Sequence, residues 1–368
     1  MTVTASEDWR NAGFGLYVHW PFCQAKCPYC DFNSHVAREV DQTRWLAAYE
    51  SEIRRLSEDI PGRVLNTVFF GGGTPSLMAP EVVAGVIDAA RAAWPLANDI
   101  EITLEANPGS VERGRFQAYA DAGVNRLSMG VQALDDADLR RLGRMHTVAE
   151  ARAAFDVARG CFGRVSFDLI YARQDQSREA WRRELREALS MAVDHLSLYQ
   201  LTIEDGTVFG ARHAAGHLRG LPDDDVAADM YLETQDILGS AGMPAYEVSN
   251  HAAPGSESRH NLVYWRQGDW AAVGPGAHGR ITLPGGRFAT EAHRAPGAWL
   301  HAVEGRGTGE SLRELVPLDE QATEYLLMSM RLAEGMDLQR YAAKGGALDT
   351  RRVARLVEDG LLEMSADR

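Results

Sequence analysis

The stretch Tyr17-Val-His-Trp-Pro-Phe-Cys-Gln-Ala-Lys-Cys-Pro-Tyr-Cys-Asp-Phe-Asn33 runs a β-rich segment straight into three cysteines, Cys23, Cys27 and Cys30. They are three of only four cysteines in 368 residues. A chain so poor in cysteine that groups three within eight positions is building a metal site, not spreading disulfides. The C-x3-C-x2-C spacing offers three thiolates to one cluster. A [4Fe–4S] cube with three protein ligands keeps one iron open. Zinc also takes thiolates, but a closed structural site needs a fourth ligand, for which His19 or His35 is available. Cys27-Pro-Tyr-Cys30 reads as a redox pair only if Cys23 is left without a role. Cys161 follows a helical stretch and has no partner nearby in sequence, so it reads as a small buried hydrophobe.

Outward from this stretch the chain alternates strand and helix. β-rich runs fall at Leu16–Trp20, Thr67–Phe70, Ile100–Glu105, Arg126–Gln132, Val165–Tyr171 and His195–Leu201. Helical patterns lie between them at Arg44–Ser57, Pro80–Trp94, Arg115–Ala122, Ala149–Arg159 and Arg178–Met191. Six strands joined by helical crossovers make a parallel α/β sheet with right-handed connections. The residues at the end of each strand select the architecture. The cysteines come after the first, Gly71-Gly-Gly-Thr-Pro75 after the second, and Glu105-Ala-Asn-Pro108 closes the third. Gly130-Val-Gln132 ends the fourth, Asp168 lies on the fifth, and Gln200-Leu-Thr202 comes after the sixth. Polar and glycine-rich groups at the C-terminal ends of all six strands describe a partial (β/α)6 barrel of TIM type. An open doubly wound sheet would gather them at one switch point.

The organisation expected is a barrel core over residues 1–242 with its cysteine loop near the N-terminus. An extended connecting region comes next over 243–310, and a smaller, mostly helical domain over 311–368. Tyr246–His251 and Asp269–Ile281 look extended, whereas Leu318–Arg331 and Asp349–Glu363 look like amphipathic helices of a winged-helix-like unit. That last domain reads as abbreviated, stopping at Arg368 where a wing hairpin would continue. With 45% hydrophobic and 24% charged residues the composition is that of a globular protein. The net charge is −14, from 38 basic and 52 acidic residues, and no stretch concentrates Lys and Arg, which argues against a nucleic-acid partner. No signal peptide is visible, and no apolar run approaches the ~20 residues of a transmembrane span. Clustered, reduced cysteines without an export signal point to the cytoplasm.

Gly71-Gly-Gly-Thr74 follows a strand and precedes a helix, so its backbone can come close to a ligand. It is neither a P-loop nor G-x-G-x-x-G. Glu105, Gln132, Arg144 and Asp168 each lie on or just past a strand's C-terminal end and can share one cavity. Carboxylates suit an amino group and ribose hydroxyls, and an arginine fork suits a carboxylate. Any one of them alone would read as a surface salt bridge. Beside an open iron, together, they describe a site for a zwitterionic amino acid that carries a nucleoside.

The cysteine run, the GGGTP turn, strand-borne Glu105 and Asn125-Arg-Leu-Ser-Met-Gly-Val-Gln132 resemble the radical S-adenosylmethionine superfamily. The resemblance covers the chain from Tyr17 to about Leu362. It is greatest to the branch holding oxygen-independent coproporphyrinogen oxidase and the related haem chaperones. It implies a [4Fe–4S] cluster on Cys23, Cys27 and Cys30 whose open iron chelates the amino and carboxylate groups of S-adenosylmethionine. It further implies that Tyr17, Tyr29, Gly72, Gly73, Thr74, Glu105, Gln132, Arg144 and Asp168 contact that cofactor. By the same resemblance His260-Asn-Leu-Val-Tyr-Trp265 matches an H-N-x-x-Y-W motif linked to haem in the chaperones, which marks His260, Asn261, Tyr264 and Trp265. Chemically, His260 and Tyr264 offer axial ligands and Trp265 a flat apolar wall. Alternatively, the motif is a core segment whose histidine and tyrosine are merely hydrogen-bonded. His251 and His278 are the nearest other imidazoles.

Two features divide the branches. After Cys30 the chain reads Asp31-Phe32-Asn33, where the oxidase would carry Gly-Cys, and it carries the H-N-x-x-Y-W motif. Both favour a haem-binding protein that delivers haem as cargo to acceptor apoproteins, with a cluster-dependent homodimer as an implied assembly. An oxidase decarboxylating coproporphyrinogen III by radical chemistry is the second reading. Asp168-Leu-Ile-Tyr-Ala-Arg-Gln-Asp-Gln176 departs from both, lacking the Pro-Gly pair expected after that strand, and leaves the loop's geometry open.

Overall fold

The computed structural model describes residues 5–109, 113–191, 194–365 and 368. The six expected strands are all present. They are β1 (Phe14–Trp20), β4 (Leu65–Gly72), β5 (Leu96–Ala106), β6 (Arg126–Gln132), β7 (Arg164–Tyr171) and β8 (His195–Gln200). A two-residue pair, β2 (Phe22–Cys23) and β3 (His35–Val36), interrupts the series at the cysteine loop. Four later strands come after β9 (Ala245–Glu247) and β10 (Asn250–Ala252): β11 (Asp269–Val273), β12 (His278–Leu283), β13 (Gly286–Ala292) and β14 (Glu310–Leu315).

The main sheet runs in the order β14-β13-β12-β11-β1-β4-β5-β6-β7-β8-β10-β9. From β11 through β8 the pairing is parallel throughout, and the two flanks are antiparallel. The ends do not pair with each other, so the α/β barrel is partial. The segment 243–310, expected as an extended connection, is part of the barrel sheet instead. Its β11 lies parallel to β1, with Tyr17 opposite Ala272. The H-N-x-x-Y-W motif is likewise not extended but forms the short helix Arg259–Trp265.

Strand alternation explains what the barrel holds. Leu16, Val18, Val68, Leu104, Leu127, Met129, Phe167 and Leu198 point outward into one hydrophobic core shared with the surrounding helices. Most parallel sheets are apolar on both faces. Here the inward face is polar and internally bonded. The Arg126 guanidinium donates to Thr103 and Ser166 hydroxyls at 3.5 and 3.0 Å, and Ser166 donates to Ser128 at 3.2 Å. Arg164 pairs with buried Glu101 at 2.9 Å. Beyond β14 come the helices Leu318–Ser329, Leu338–Ala343 and Thr350–Glu358, the first two around a small cluster of Ala322, Tyr325, Met336 and Tyr341. Arg340 and Lys344 tie this unit to the N-terminal segment by ion pairs to Asp8 at 2.8 and 2.6 Å.

Candidate functional site

A cavity of about 630 Å³ opens at the C-terminal ends of the barrel strands. Cys23, Cys27 and Cys30 line it, with Tyr29, Gly72, Gly73, Thr74, Glu105, Gln132, Arg144 and Asp168. The cysteine loop is held by backbone bonds. Gly73 N–H donates to Trp20 at 2.7 Å, Thr74 N–H to Phe22 at 2.9 Å, and Cys30 N–H to Cys27 at 3.1 Å. β2 pairing with β3 closes the loop behind the cysteines. The Thr74 hydroxyl points at the Cys23 sulfur (3.4 Å), and one Arg144 N–H at the Cys27 sulfur (3.5 Å). Burial pushes the Cys23 and Cys30 thiols above their ordinary range.

The glycines are needed for close approach. A Cβ on Gly73 would lie 2.8 Å from the Phe22 carbonyl oxygen, backbone that cannot swing away. Gly72 has φ 111°, and a Cβ there would meet the His19 ring at 2.7 Å. Gln132 adopts φ 74°, a conformation non-glycine residues avoid and one that recurs at functional sites.

Two carboxyls face the cavity from neighbouring levels. Burial, then repulsion from Asp168, pushes Glu105 up to about 8, against a hydrogen bond from the Gly72 backbone. Burial likewise pushes Asp168 up to about 6, and its Oδ1 has no hydrogen-bond partner. Arg144 is aimed by Gly130 O at 2.8 Å and Asn107 Oδ1 at 2.5 Å, while its buried Nε is unpaired. Unpaired, buried polar atoms at the wall of a cavity mark places where a polar ligand completes the bonding. The donor set fits a cluster with an amino acid on its open iron. Among the described residues no three His, Cys, Asp or Glu side chains converge on a point that one ion could fill, whereas a cube spreads its thiolates over separate irons.

The family model of the Radical SAM superfamily matches residues 17–188. Heme chaperone HemW of Escherichia coli (strain K12) is 42% identical over 335 residues, 90% of this chain and 86% of that protein. The chain belongs to the HemW family of the radical SAM superfamily. Radical S-adenosyl methionine domain-containing protein 1, mitochondrial, of Mus musculus is 43% identical over 343 residues, 91% of this chain and 77% of that protein. Among solved structures, the radical SAM coproporphyrinogen III oxidase HemN of Escherichia coli matches with a TM-score of 0.81 at 22% identity. The match covers 99% of this chain and 87% of that one, a likeness of fold.

Within this HemW-family chain two groups of the expected residues lie away from the cavity. Tyr17 does not line the cavity. It lies one layer below, its hydroxyl 2.9 Å from His19 Nδ1 and its ring stacked on Phe69 and His260. His19 Nε2 in turn lies 3.0 Å from the Asn33 carbonyl, so Tyr17 supports the cysteine loop at one remove.

The haem motif is the second group. His260 is fully buried, with Nδ1 2.7 Å from the Thr67 hydroxyl and Nε2 2.6 Å from the Tyr264 hydroxyl. Both ring nitrogens are hydrogen-bonded here, because hydroxyls can donate or accept and so satisfy a neutral imidazole on both sides. Tyr264 packs edge-on against Trp270, and the Trp265 ring lies under the Arg331 guanidinium at 4.5 Å. The Asn261 backbone N–H donates to the Ser258 hydroxyl at 3.4 Å at the start of the helix. These residues form the floor of the barrel. A Cβ on Gly15 would touch His260 at 3.2 Å, and Gly15 is five residues before Trp20 on β1. At 3.3 Å per residue that puts the motif roughly 17 Å from the cysteine end.

Burial, and then the Arg126 charge, lowers His260 to about 3. Its unfolded counterpart titrates near 6.5, so below that pH the unfolded chain takes up the proton first. Stability is therefore lost as pH falls from 6.5 toward 3, at up to about 1.4 kcal/mol per pH unit for this one group. Unfolding free energies from denaturant titrations of wild type and His260→Gln, followed from pH 7 to 4.5, should converge by that slope. Parallel lines would contradict the neutral, buried imidazole.

Sequence reading missed Asn107 and Tyr199. Asn107 bridges the Arg144 guanidinium and the Thr74 hydroxyl, the latter at 3.3 Å. Tyr199 lines the cavity beside Asp168, and burial and that carboxylate push its hydroxyl up. Strand alternation would have found Tyr199, since it shares the inward face of β8 with Ser197.

Proposed function

We propose that the chain is a haem chaperone that carries a [4Fe–4S] cluster on Cys23, Cys27 and Cys30 and binds S-adenosylmethionine across the cavity. Relatives named as haem chaperones at 37–42% identity support the chaperone part. The observation that carries it over an oxidase is Phe32. It occupies the position where the oxidase pattern has a fourth cysteine, and its ring is 60% exposed at the mouth of the cavity. The open iron, when bound, supplies a Lewis-acid site that an α-amino and α-carboxylate group can chelate.

The chain's own residues do the rest. Arg144, fixed by Asn107 and Gly130, presents a charge for the cofactor's carboxylate. Glu105 and Asp168, which line the same cavity as Arg144, would accept from the cofactor's amino and hydroxyl groups. The close backbone of Gly72 and Gly73 sets the depth to which the ligand enters. Acceptor apoproteins, a cluster-dependent dimer and a cytoplasmic site of action complete the proposal. No helix among the described residues is long and apolar enough to cross a membrane.

The test is anaerobic incubation of cluster-reconstituted protein with haem and, separately, with coproporphyrinogen III. Stoichiometric haem binding without turnover of coproporphyrinogen supports the reading; turnover would replace it with the oxidase. In the same preparation, S-adenosylmethionine should perturb the paramagnetic resonance of the reduced cluster. Arg144→Met should raise the cofactor concentration needed for that change by roughly ten- to a hundred-fold, the loss of one charge-assisted hydrogen bond of about 1.5–3 kcal/mol. A wild-type spectrum indifferent to saturating cofactor would remove the cofactor from the proposal.

A further inference from the structure

With the H-N-x-x-Y-W histidine locked inside the barrel, the structure leaves another imidazole in a ligand's position. We infer that haem, the cargo of the function proposed above and dependent on that reading, docks on the inward face of β11–β13 with His278 as its iron ligand.

The eleven histidines sort themselves by bonding. His19 and His260 have both ring nitrogens engaged, and His146, His195 and His251 are buried. His35 Nε2 is taken by Asn33 and His293 Nε2 by Arg306. His213, His217, His278 and His301 are exposed. Among the described residues only His278 of these has a carboxylate at its ring, with Nδ1 3.5 Å from Glu291 Oε1. Glu291 stands directly opposite it on β13. A carboxylate on one ring nitrogen is the usual companion of a metal-ligating histidine, because it fixes the tautomer and leaves the other nitrogen for the metal. Here Nε2 has no partner among the described residues, and the side chain is 56% exposed.

The surroundings suit a flat, dianionic ring. The register Trp270↔Arg280 places Ala272 level with His278, Ala272 is opposite Tyr17, and the Trp270 indole N–H donates to the His278 carbonyl at 2.8 Å, so small and aromatic apolar groups flank the imidazole's strand. One row further on, the helix Leu318–Ser329 closes the same face through Arg280–Glu324 at 2.8 Å, but the His278 row is left uncovered. On the other side stands the cysteine loop. Asn33 donates through Nδ2 to the Pro275 and Arg294 carbonyls, both at 2.9 Å, which fastens Phe32 and His35 beside the start of β12. Arg294, exposed and without a carboxylate partner among the described residues, is placed for a propionate. The wall of this site is three residues from Cys30. Cluster loading would therefore order the surface on which haem lands.

The experiment is haem titration of cluster-reconstituted full-length protein, monitored by the Soret band. His278→Ala should weaken binding at least ten-fold and shift the band, and His278→Met should restore binding with a different band position. Glu291→Gln should give a smaller loss. His260→Ala should keep the wild-type band even if the protein becomes less stable, with iron and sulfide content as the folding check for every variant. Wild-type affinity and spectrum in His278→Ala would overturn the site while leaving the chaperone reading in place. Loss of the band in His260→Ala alone would return the ligand to the motif and likewise overturn the site. Failure of the wild type to bind haem would overturn the chaperone reading, and the site with it.

Discussion

Cys27→Ala should yield a protein that takes up no cluster on reconstitution, and Cys23→Ala and Cys30→Ala should do the same. Each thiol lines the one cavity, and each has its own polar neighbour: Thr74 for Cys23, Arg144 for Cys27 and Ser34 for Cys30. Those neighbours differ, so the loop has no spare ligand to move into a vacated place. Three thiolates are also the fewest that hold a cube with one iron open, which makes the expected effect all-or-none, not graded. Cys161 is the internal control. It ends the helix Val148–Cys161, packed at the margin of the hydrophobic core and outside the cavity lining. Iron and acid-labile sulfide assays after anaerobic reconstitution give the answer: full loading in Cys161→Ala, background in the other three. Equal loading in the Cys27 and Cys161 variants would be incompatible with the assignment.

The barrel was legible because its signals are local. β6 reads Arg-Leu-Ser-Met-Gly-Val-Gln, polar and apolar in turn, and both of its expected ends were met. The site was legible for a related reason: in a parallel barrel every strand's C-terminal end faces one place, so position along a strand is already position in the cavity. Tyr17 shows the limit of that rule. It is on an inward-facing position, but three residues short of the strand end, and so falls in the layer beneath the cofactor cavity. The part after Gly242 was less legible because extended segments do not announce their partners. Nothing in Asp269–Val273 says that it will lie parallel to β1 and not form a hairpin elsewhere. The motif at His260 was ambiguous for a different reason. Its residue types suit haem and suit a hydrogen-bonded plug equally well, and its partners Thr67 and Tyr264 lie far from it in sequence or meet it only once the helix forms.

The loop whose geometry the sequence left open, Ala172-Arg173-Gln174-Asp175-Gln176, gives the second large expectation. Ala172 and Asp175 take φ of 56° and 58°, conformations costing roughly 1–3 kcal/mol each for non-glycine residues. Arg173 offsets that strain from inside. Its guanidinium is buried and bonds Glu184 Oε2 at 2.7 Å, Asp138 Oδ2 at 2.8 Å and the Ile170 carbonyl. Gln176 adds a bond to Glu184 at 3.0 Å. The same Glu184 accepts from the Leu134 backbone N–H at 2.7 Å, two residues past the strained Gln132, and Asp138 lies on the helix that leads to Arg144. Two of the residues proposed to contact the cofactor, Gln132 and Arg144, therefore hang on one buried cation. Removing one member of a buried ion-pair network leaves an uncompensated charge and costs about 3–5 kcal/mol. Arg173→Met should lower the unfolding free energy from denaturant titration by that amount, whereas Arg173→Met with Glu184→Gln should recover part of it by removing the stranded charge. If the network positions Gln132 and Arg144 as well as stabilising the fold, the folded fraction of Arg173→Met will also need more S-adenosylmethionine to change its cluster spectrum. Wild-type stability together with a wild-type cofactor response in Arg173→Met would show that the loop holds its shape without this cation.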